Sequence, residues 1–409
     1  MDTSFGKNTI SVKEARHLIN CSMRLTGTQE LALPQAHGRV LANAVEALTQ
    51  SPPFDVSAMD GYAVLAADVP EAGVVLPMSG ASKAGVAMVP TLQRGTCMRI
   101  FTGAPVPHGA NAIIIQEDVE AKGRQISFNE VAIEGLHIRK AGLNFSKGEQ
   151  LAEKGHLLTA RDIGLLAAAG HASVAVFHRP RIAVLSTGDE VAASMADAAS
   201  GQIVDANRPA LLALIRAWGG EAIDLGIAGD DDAAIVSALD GLEADLLLVT
   251  GGASVGEHDR VRPVLQALGL RFDFWKIRMR PGKPLMFGTL GAMPVLGLPG
   301  NPVSALVCSL LFLKPAISVM TGGEGLGPEF ENARLMEPID KTGNRDDYLR
   351  AMVEMADGAL AVRVFAQQDS SMLAVLARAN AFLFRPAGAP PADAGEMVKV
   401  IRLNMVPGY

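Results

Sequence analysis

Apolar and polar positions change rhythm repeatedly along this chain, and each change marks an element boundary. Residues 11–22 place apolar side chains at helical spacing behind Ser11, with Glu14 three positions on, the capping-box signature of a helix start. Residues 34–42 carry Ala36, Val40 and Leu41 on one side and predict a second short helix. Residues 65–135 read instead as short alternating runs between Gly and Pro turns, including 99–103, 112–115 and 125–128, the pattern of a small β-rich domain. Helical spacing returns at 160–169 and stops at Gly170.

From Arg179-Pro180 onward the pattern alternates between strand and helix. Strands are predicted at 181–185, 222–226, 245–249, 272–277, 284–287 and 294–298, and helices at 209–218, 232–242, 261–268 and 302–320. That alternation is the mark of a doubly wound α/β sheet. A glycine-rich linker, 322–328, leads to further strands at 348–353, 360–364, 381–384 and 397–403. The predicted architecture is multidomain, α/β and β. It has a discontinuous N-terminal mixed domain (1–50 plus 137–178), an inserted β-rich domain (51–136), a central doubly wound α/β domain (179–321) and a small C-terminal β domain (328–409).

Composition narrows the functional classes. The 409 residues exceed what one core supports. With 36 basic against 43 acidic residues the chain is net acidic, which disfavours a general nucleic-acid binder, and 5% aromatics offer few platforms for bases. The N-terminus has no apolar core of a signal peptide, and no uninterrupted apolar run reaches membrane-spanning length. Cys21, Cys97 and Cys308 lie far apart, which suggests neither a zinc site nor a disulfide framework and fits a reducing cytoplasm.

Candidate chemistry gathers where the α/β strands end. After the apolar run 245–249 comes Thr250-Gly251-Gly252-Ala253-Ser254-Val255-Gly256-Glu257-His258-Asp259. Its three glycines let backbone N–H groups approach an anion, and its serine and carboxylates suit an anion together with a divalent cation. Gly252-Ala253-Ser254-Val255-Gly256 also fits a nucleophile elbow. A hydrolase triad needs a histidine further on, and none follows His258, so that reading is disfavoured. Ser186-Thr187-Gly188-Asp189-Glu190 closes the first strand of the domain. Arg280-Pro281-Gly282-Lys283 sets two cations on a proline-stiffened turn that suits a tetrahedral oxyanion. Pro299-Gly300-Asn301-Pro302 opens the last long helix, whose N-terminus favours anions.

Five stretches in order resemble the molybdopterin molybdenumtransferase family (the MoeA type, also found as the E domain of gephyrin-like proteins). They are Ser57-Ala58-Met59-Asp60-Gly61-Tyr62-Ala63, Phe101-Thr102-Gly103-Ala104-Pro105-Val106-Pro107, Leu185-Ser186-Thr187-Gly188-Asp189-Glu190, Gly251 to Glu257, and Pro281-Gly282-Lys283-Pro284 through Gly297-Leu298-Pro299-Gly300-Asn301-Pro302. The likeness runs from about Ser11 to Leu403.

The resemblance implies a central domain of the molybdopterin-binding type and an enzyme that inserts molybdate into adenylylated molybdopterin, releasing AMP with Mg2+. It implies a homodimer, and contacts with the adenylylating enzyme and with molybdoenzyme apoproteins, but neither nucleic acid nor membrane. Asp60, Glu190, Ser254 and Asp259 match catalytic positions, Glu190 and Asp259 also as metal ligands. Thr187, Gly188, Asp189, Thr250, Gly251, Gly252, Gly256, Pro299, Gly300 and Asn301 match the molybdopterin nucleotide site. Arg280, Lys283, Ser304, Arg350 and Ser370 match a molybdate pocket. Four positions depart from the family pattern: Asn111 and Asn144 stand where aspartates are usual, Arg280 where a lysine is, and Asp369 where a glycine is. Asn144 and Asp369 keep open an alternative, a non-catalytic molybdopterin-binding carrier.

Overall fold

The computed structural model describes residues 9–85, 90–251 and 260–407. They divide into two compact units, residues 30–175 and residues 1–29 with 176–409.

The larger unit is built on a six-stranded sheet. Its spatial order is Glu221–Ala228, Arg181–Thr187, Leu246–Thr250, Met293–Leu298, Met286–Leu290 and Leu270–Trp275. The first four run parallel; Met286–Leu290 runs antiparallel to them, and Leu270–Trp275, antiparallel to Met286–Leu290, runs with the first four again. Leu246–Thr250 is buried along its whole length, because a parallel strand covered on both faces has no solvent side to keep polar. Successive side chains then serve opposite layers. Ile182, Val184, Leu246 and Leu248 pack with Leu211 and Ile215 of the helix Asn207–Ala217, with Ile19 of the helix Val12–Ser22 and with Leu310 and Ile317 of the last helix. Ala183, Leu185, Leu247 and Val249 pack the other way, with Ile235, Val261, Val264 and Leu265. Helices on both faces make this a doubly wound domain.

The last helix, Pro302–Met320, has 19 residues and a mean hydropathy of 2.0, so by length and composition it could cross a membrane. The sequence reading noted no such run; here 78% of its most apolar window is buried inside the protein, as in a core helix. It widens to a π-helix over Ser309–Leu313. Pro315 explains this, since it gives no N–H to the carbonyl four residues back and its ring crowds that carbonyl.

The C-terminal strands close on themselves. Asp346–Ala356 pairs with both Ala359–Val364 and Ala381–Arg385, and Met397–Arg402 and Glu331–Leu335 complete the ring. The small C-terminal β domain is therefore a closed barrel. The short strand Met279–Arg280 joins it by pairing with Asp346 and Asp347.

In the unit 30–175 the main sheet runs Ala112–Ile115, Gly61–Val64, Cys97–Ile100, Val75–Ser82, Gln125–Phe128, Val119–Lys122. The helix expected over 34–42 is only a 3-10 turn, Leu33–Gln35; Gly38 adopts φ +71° and donates to Leu158 O, which ends helical bonding. The capping box at Ser11 and Glu14 forms as read, with bonds of 2.8 and 3.2 Å.

Gly61 lies inside the strand Gly61–Val64, and a Cβ there would collide with Ile114 O of the adjoining strand. Gly61→Ala is expected to cost about 1–3 kcal/mol as overpacking, read by denaturant unfolding; an unchanged midpoint would refute the close approach. Asp162 closes the capping box of the helix Ala160–Ala168. Burial raises its pKa, but bonds from Thr159 and His156 outweigh that and hold it at about 2, against 3.8 for a free side chain. Because the folded value is depressed, the stabilisation is complete above the free value and fades as pH falls toward the folded one. Asp162→Asn should therefore cost about 1 kcal/mol near neutral pH, with the deficit shrinking below about pH 4. A pH-independent deficit would rule out the charge as its source.

Candidate functional site

Parallel strands whose connections leave in opposite directions open a crevice beyond their carboxyl ends. Arg181–Thr187 is followed in the chain by Glu221–Ala228 on one side and then Leu246–Thr250 on the other. The switch point lies between Thr187 and Thr250. Ser186 Oγ and Thr250 Oγ1 are 2.9 Å apart, and Thr187 Oγ1 donates to Thr250 O at 3.2 Å. Gly251 follows at φ +84°, pressed so close that a Cβ would collide with Thr187 O. A side chain is excluded there on both grounds.

The Gly188 turn has φ +132°, and a Cβ on it would lie 2.5 Å from Glu190 Oε2, so this carboxylate curls back over the glycine. Ile203 N donates to Glu190 O at 2.8 Å, tying the loop down. Asp189 is engaged locally: Asp230 N donates to its Oδ1 at 2.9 Å, and Asp189 N donates to Asp230 Oδ2 at 3.4 Å. The Pro299–Gly300–Asn301 turn borders the same crevice, with the Cβ position of Gly300 3.9 Å from Gly251 Cα.

Two residues that sequence reasoning missed hold that turn. Asn207 Nδ2 donates to Gly300 O at 2.7 Å, while Asp205 accepts from the backbone N–H of Asn207 and Arg208 at 3.0 and 3.1 Å. Arg208 bridges from Asp205 to Asp224. The available signal was an aspartate just before a helix start; placing that start at 209 instead of 207 hid it.

A second cluster forms where the barrel meets the start of the last helix. Arg350, 2% exposed, donates through Nη1 to Asp369 O at 2.6 Å and through Nε to Gln368 Oε1 at 3.2 Å. Burial pulls its pKa below the ordinary value, and the Asp369 charge opposes that shift. Asn301 Nδ2 donates to Ser370 Oγ at 2.8 Å, and Val303 N to Ser370 O at 3.1 Å, beside buried Ser304. The Asp369 carboxylate turns to Ser371, accepting from its Oγ at 2.6 Å and its N–H at 2.8 Å, and these bonds hold its pKa below the usual range.

Arg280 differs from a free cation on a turn: it pairs with Asp347 at 3.4 Å. Burial raises the Asp347 pKa, with Arg280 and Arg345 pulling it back. Lys283 is exposed and makes no ion pair among the described residues. Gly282 packs against Cys308, one turn beyond Ser304. Thus Arg280, Ser304, Arg350 and Ser370 lie along one run of strand, turn and helix start, while no contact brings the Lys283 side chain to Arg350 or Ser370 among the described residues.

In the other unit, Thr102 donates to Asp60 Oδ1 from its N–H at 2.7 Å and from its hydroxyl at 2.8 Å, holding the Asp60 pKa down, and the charge of Arg99 adds to this. Ser57 N donates to Ala104 O and Gly103 N to Ser57 O, so the first two sequence motifs form one loop pair. Asn111 Oδ1 accepts from Ala66 N at 2.7 Å, an acceptor role an aspartate would also fill. Asn144 is exposed.

Gly252, Ser254, Gly256 and Asp259 lie outside the described residues. Among the described residues no group of three or more His, Cys, Asp or Glu gathers as a metal site.

Comparison with known proteins extends over nearly the whole chain. Residues 10–170 match the MoeA N-terminal region (domains I and II), 183–319 a probable molybdopterin binding domain, and 332–403 the MoeA C-terminal region (domain IV). A molybdopterin molybdenumtransferase of Nostoc sp. is 33% identical, covering 96% of this chain and 94% of its own. One from Haemophilus influenzae is 34% identical over 94% and 96%. A solved molybdopterin biosynthesis MoeA protein from Pyrococcus horikoshii superposes with a TM-score of 0.83 at 27% identity, over 97% of this chain and 100% of that one.

The Arg280–Asp347 pair sets up a competition between a carboxylate and an arriving oxyanion. Asp347→Asn should tighten binding of a tetrahedral dianion such as sulfate roughly fivefold, on the order of 1 kcal/mol, by calorimetric titration. Weaker binding would show instead that Asp347 orients Arg280 for the anion.

Proposed function

The chain belongs to the molybdopterin molybdenumtransferase family and is a transferase of molybdenum cofactor biosynthesis, and from that premise we propose that it inserts molybdate into adenylylated molybdopterin and releases AMP. The observation that carries this reading is the adjacency of two unlike sites. A switch-point crevice lined by Thr187, Gly251 and Gly300 adjoins a cluster formed by the Arg350 guanidinium and the Ser370 hydroxyl. The crevice suits a phosphorylated heterocycle, since Gly251 and Gly300 leave backbone open to close approach. The cluster suits molybdate: a dianion needs cations and hydroxyl donors, and Arg350 and Ser370 are held by neighbours before any ligand arrives.

Cleaving a phosphoanhydride needs charge neutralisation and positioning more than covalent help. Mg2+, when bound, supplies neutralisation of the phosphates. The donor set fits: Glu190 is a carboxylate at the rim of the crevice with no ion pair among the described residues, and such a cation takes one or two carboxylates plus phosphate oxygens. Asp259 is the second carboxylate of the proposal. Asp60, ionised and fixed by Thr102, keeps Oδ2 free for a proton or a donor at the reacting group.

The reading includes a cytoplasmic homodimer with Asp60 offered from a second copy. Phe54 and Met59 beside Asp60, 47% and 41% exposed, and Leu143, 66% exposed, are supporting apolar surface in that unit. The carrier alternative keeps its support from Asp369, which Ser371 holds ionised beside Arg350.

The test is AMP release from adenylylated molybdopterin and Mg2+, with and without molybdate. Molybdate-dependent release is expected, and tight binding without release would establish the carrier. Arg350→Met should lower turnover by about 10²–10³-fold, as loss of an electrostatic donor does. Mixing Asp60→Asn with Glu190→Gln chains should restore activity that neither variant has alone. If mixing restores none, Asp60 does not act across a dimer.

A further inference from the structure

The two sites are joined by side-chain hydrogen bonds linked through short stretches of backbone. Asp205 fixes the start of the helix Asn207–Ala217 by accepting from the N–H of Asn207 and Arg208. Asn207 Nδ2 then reaches across the end of the central strand to Gly300 O, 2.7 Å away. The next residue, Asn301, spends its own Nδ2 on Ser370 Oγ at 2.8 Å, and Ser370 O accepts from Val303 N. Ser370 follows Asp369, whose carbonyl holds Arg350 Nη1. The two amides therefore tie the crevice at Gly251 and Gly300 to the cationic cluster at Ser370 and Arg350.

From this geometry we propose that Asn207 and Asn301 are positioning residues that couple the nucleotide and oxyanion subsites, so that each ligand tightens the binding of the other. Asn301 thereby acts through Ser370 and the turn, where the sequence reading made it a ligand contact. A ligand that orders the Gly300 turn also orders Ser370, and a second ligand meets a subsite already set. Asn207 Oδ1 supports the existence of a second arrangement. It is buried without a hydrogen-bond partner although its residue is only 8% exposed. A buried acceptor left unpaired is unfavourable, so occupation of the crevice has a bond to gain there. A merely structural pair of amides gives no such link between ligands.

The inference rests on the insertase reading. Its test is calorimetric titration of the full chain with molybdate alone, AMP alone, and each in the presence of the other. In the unaltered protein, each ligand is expected to tighten the other by the same factor, on the order of fivefold or more, because linkage is reciprocal. In Asn301→Ala the factor should fall to about one while both ligands still bind singly. Asn207→Ala, which cuts the chain one bond earlier, keeps the test answerable if Asn301→Ala does not fold. No coupling in the unaltered protein, or full coupling retained in the variants, overturns the proposal. Loss of one ligand's own binding in Asn301→Ala also overturns it, by making Asn301 a direct contact. Failure of both ligands to bind the unaltered protein is a different result, and sinks the insertase reading itself.

Discussion

The contact between Gly251 and Thr187 is the constraint on which the rest of the site depends. Two parallel strands end side by side, and their connections leave in opposite directions. A crevice survives there only if neither strand end fills it. Gly251 has no Cβ and a left-handed φ, so the chain turns away at once, with Thr187 O in the place a side chain would take. The hydroxyls of Ser186 and Thr250 satisfy each other just beneath, so neither is left unpaired on burial. Gly300, against Gly251, extends the same economy of bulk to the next strand.

That crevice alone would make a nucleotide site of a common kind. The barrel changes its chemistry. Because Met279–Arg280 pairs with the barrel strand Asp346–Ala356, Arg280 is brought alongside the strand that carries Arg350. The turn 368–371 then folds over the start of the last helix and delivers Ser370 to Asn301. Cations and hydroxyls from distant stretches of sequence thus converge beside a sheet edge that supplies glycines and backbone. The fold divides the work: one domain shapes a cleft, the other charges its rim.

Legibility in the sequence followed the range of the interactions. The α/β strands were readable because each is apolar through a doubly covered layer, and the helix Pro302–Met320 because a proline and a turn announce its start. Capping at Ser11 was readable because it closes over three residues. The helix over 34–42 was a wrong reading: Ala36, Val40 and Leu41 fit the period, but Gly38 and its bond to Leu158 prevailed. Closure of the barrel and the Arg280–Asp347 pair were invisible, since both depend on strand pairing between segments with no common local pattern. Asp205 and Asn207 were concealed by a boundary error of two residues, the least certain part of any such reading.

The two arginines show why placement matters more than count. Arg280 faces a carboxylate, so its field is largely spent within the protein until an anion displaces Asp347. Arg350 is buried, and its N–H groups donate to a backbone carbonyl and an amide oxygen. Neutral acceptors satisfy its N–H groups without cancelling its charge, and the low-polarity surroundings reduce screening of what remains. Asp369, whose carboxylate accepts from Ser371, is the counter-charge that acts on it. Arg350 thus carries a charge opposed by Asp369, and Arg280 one competed for by Asp347.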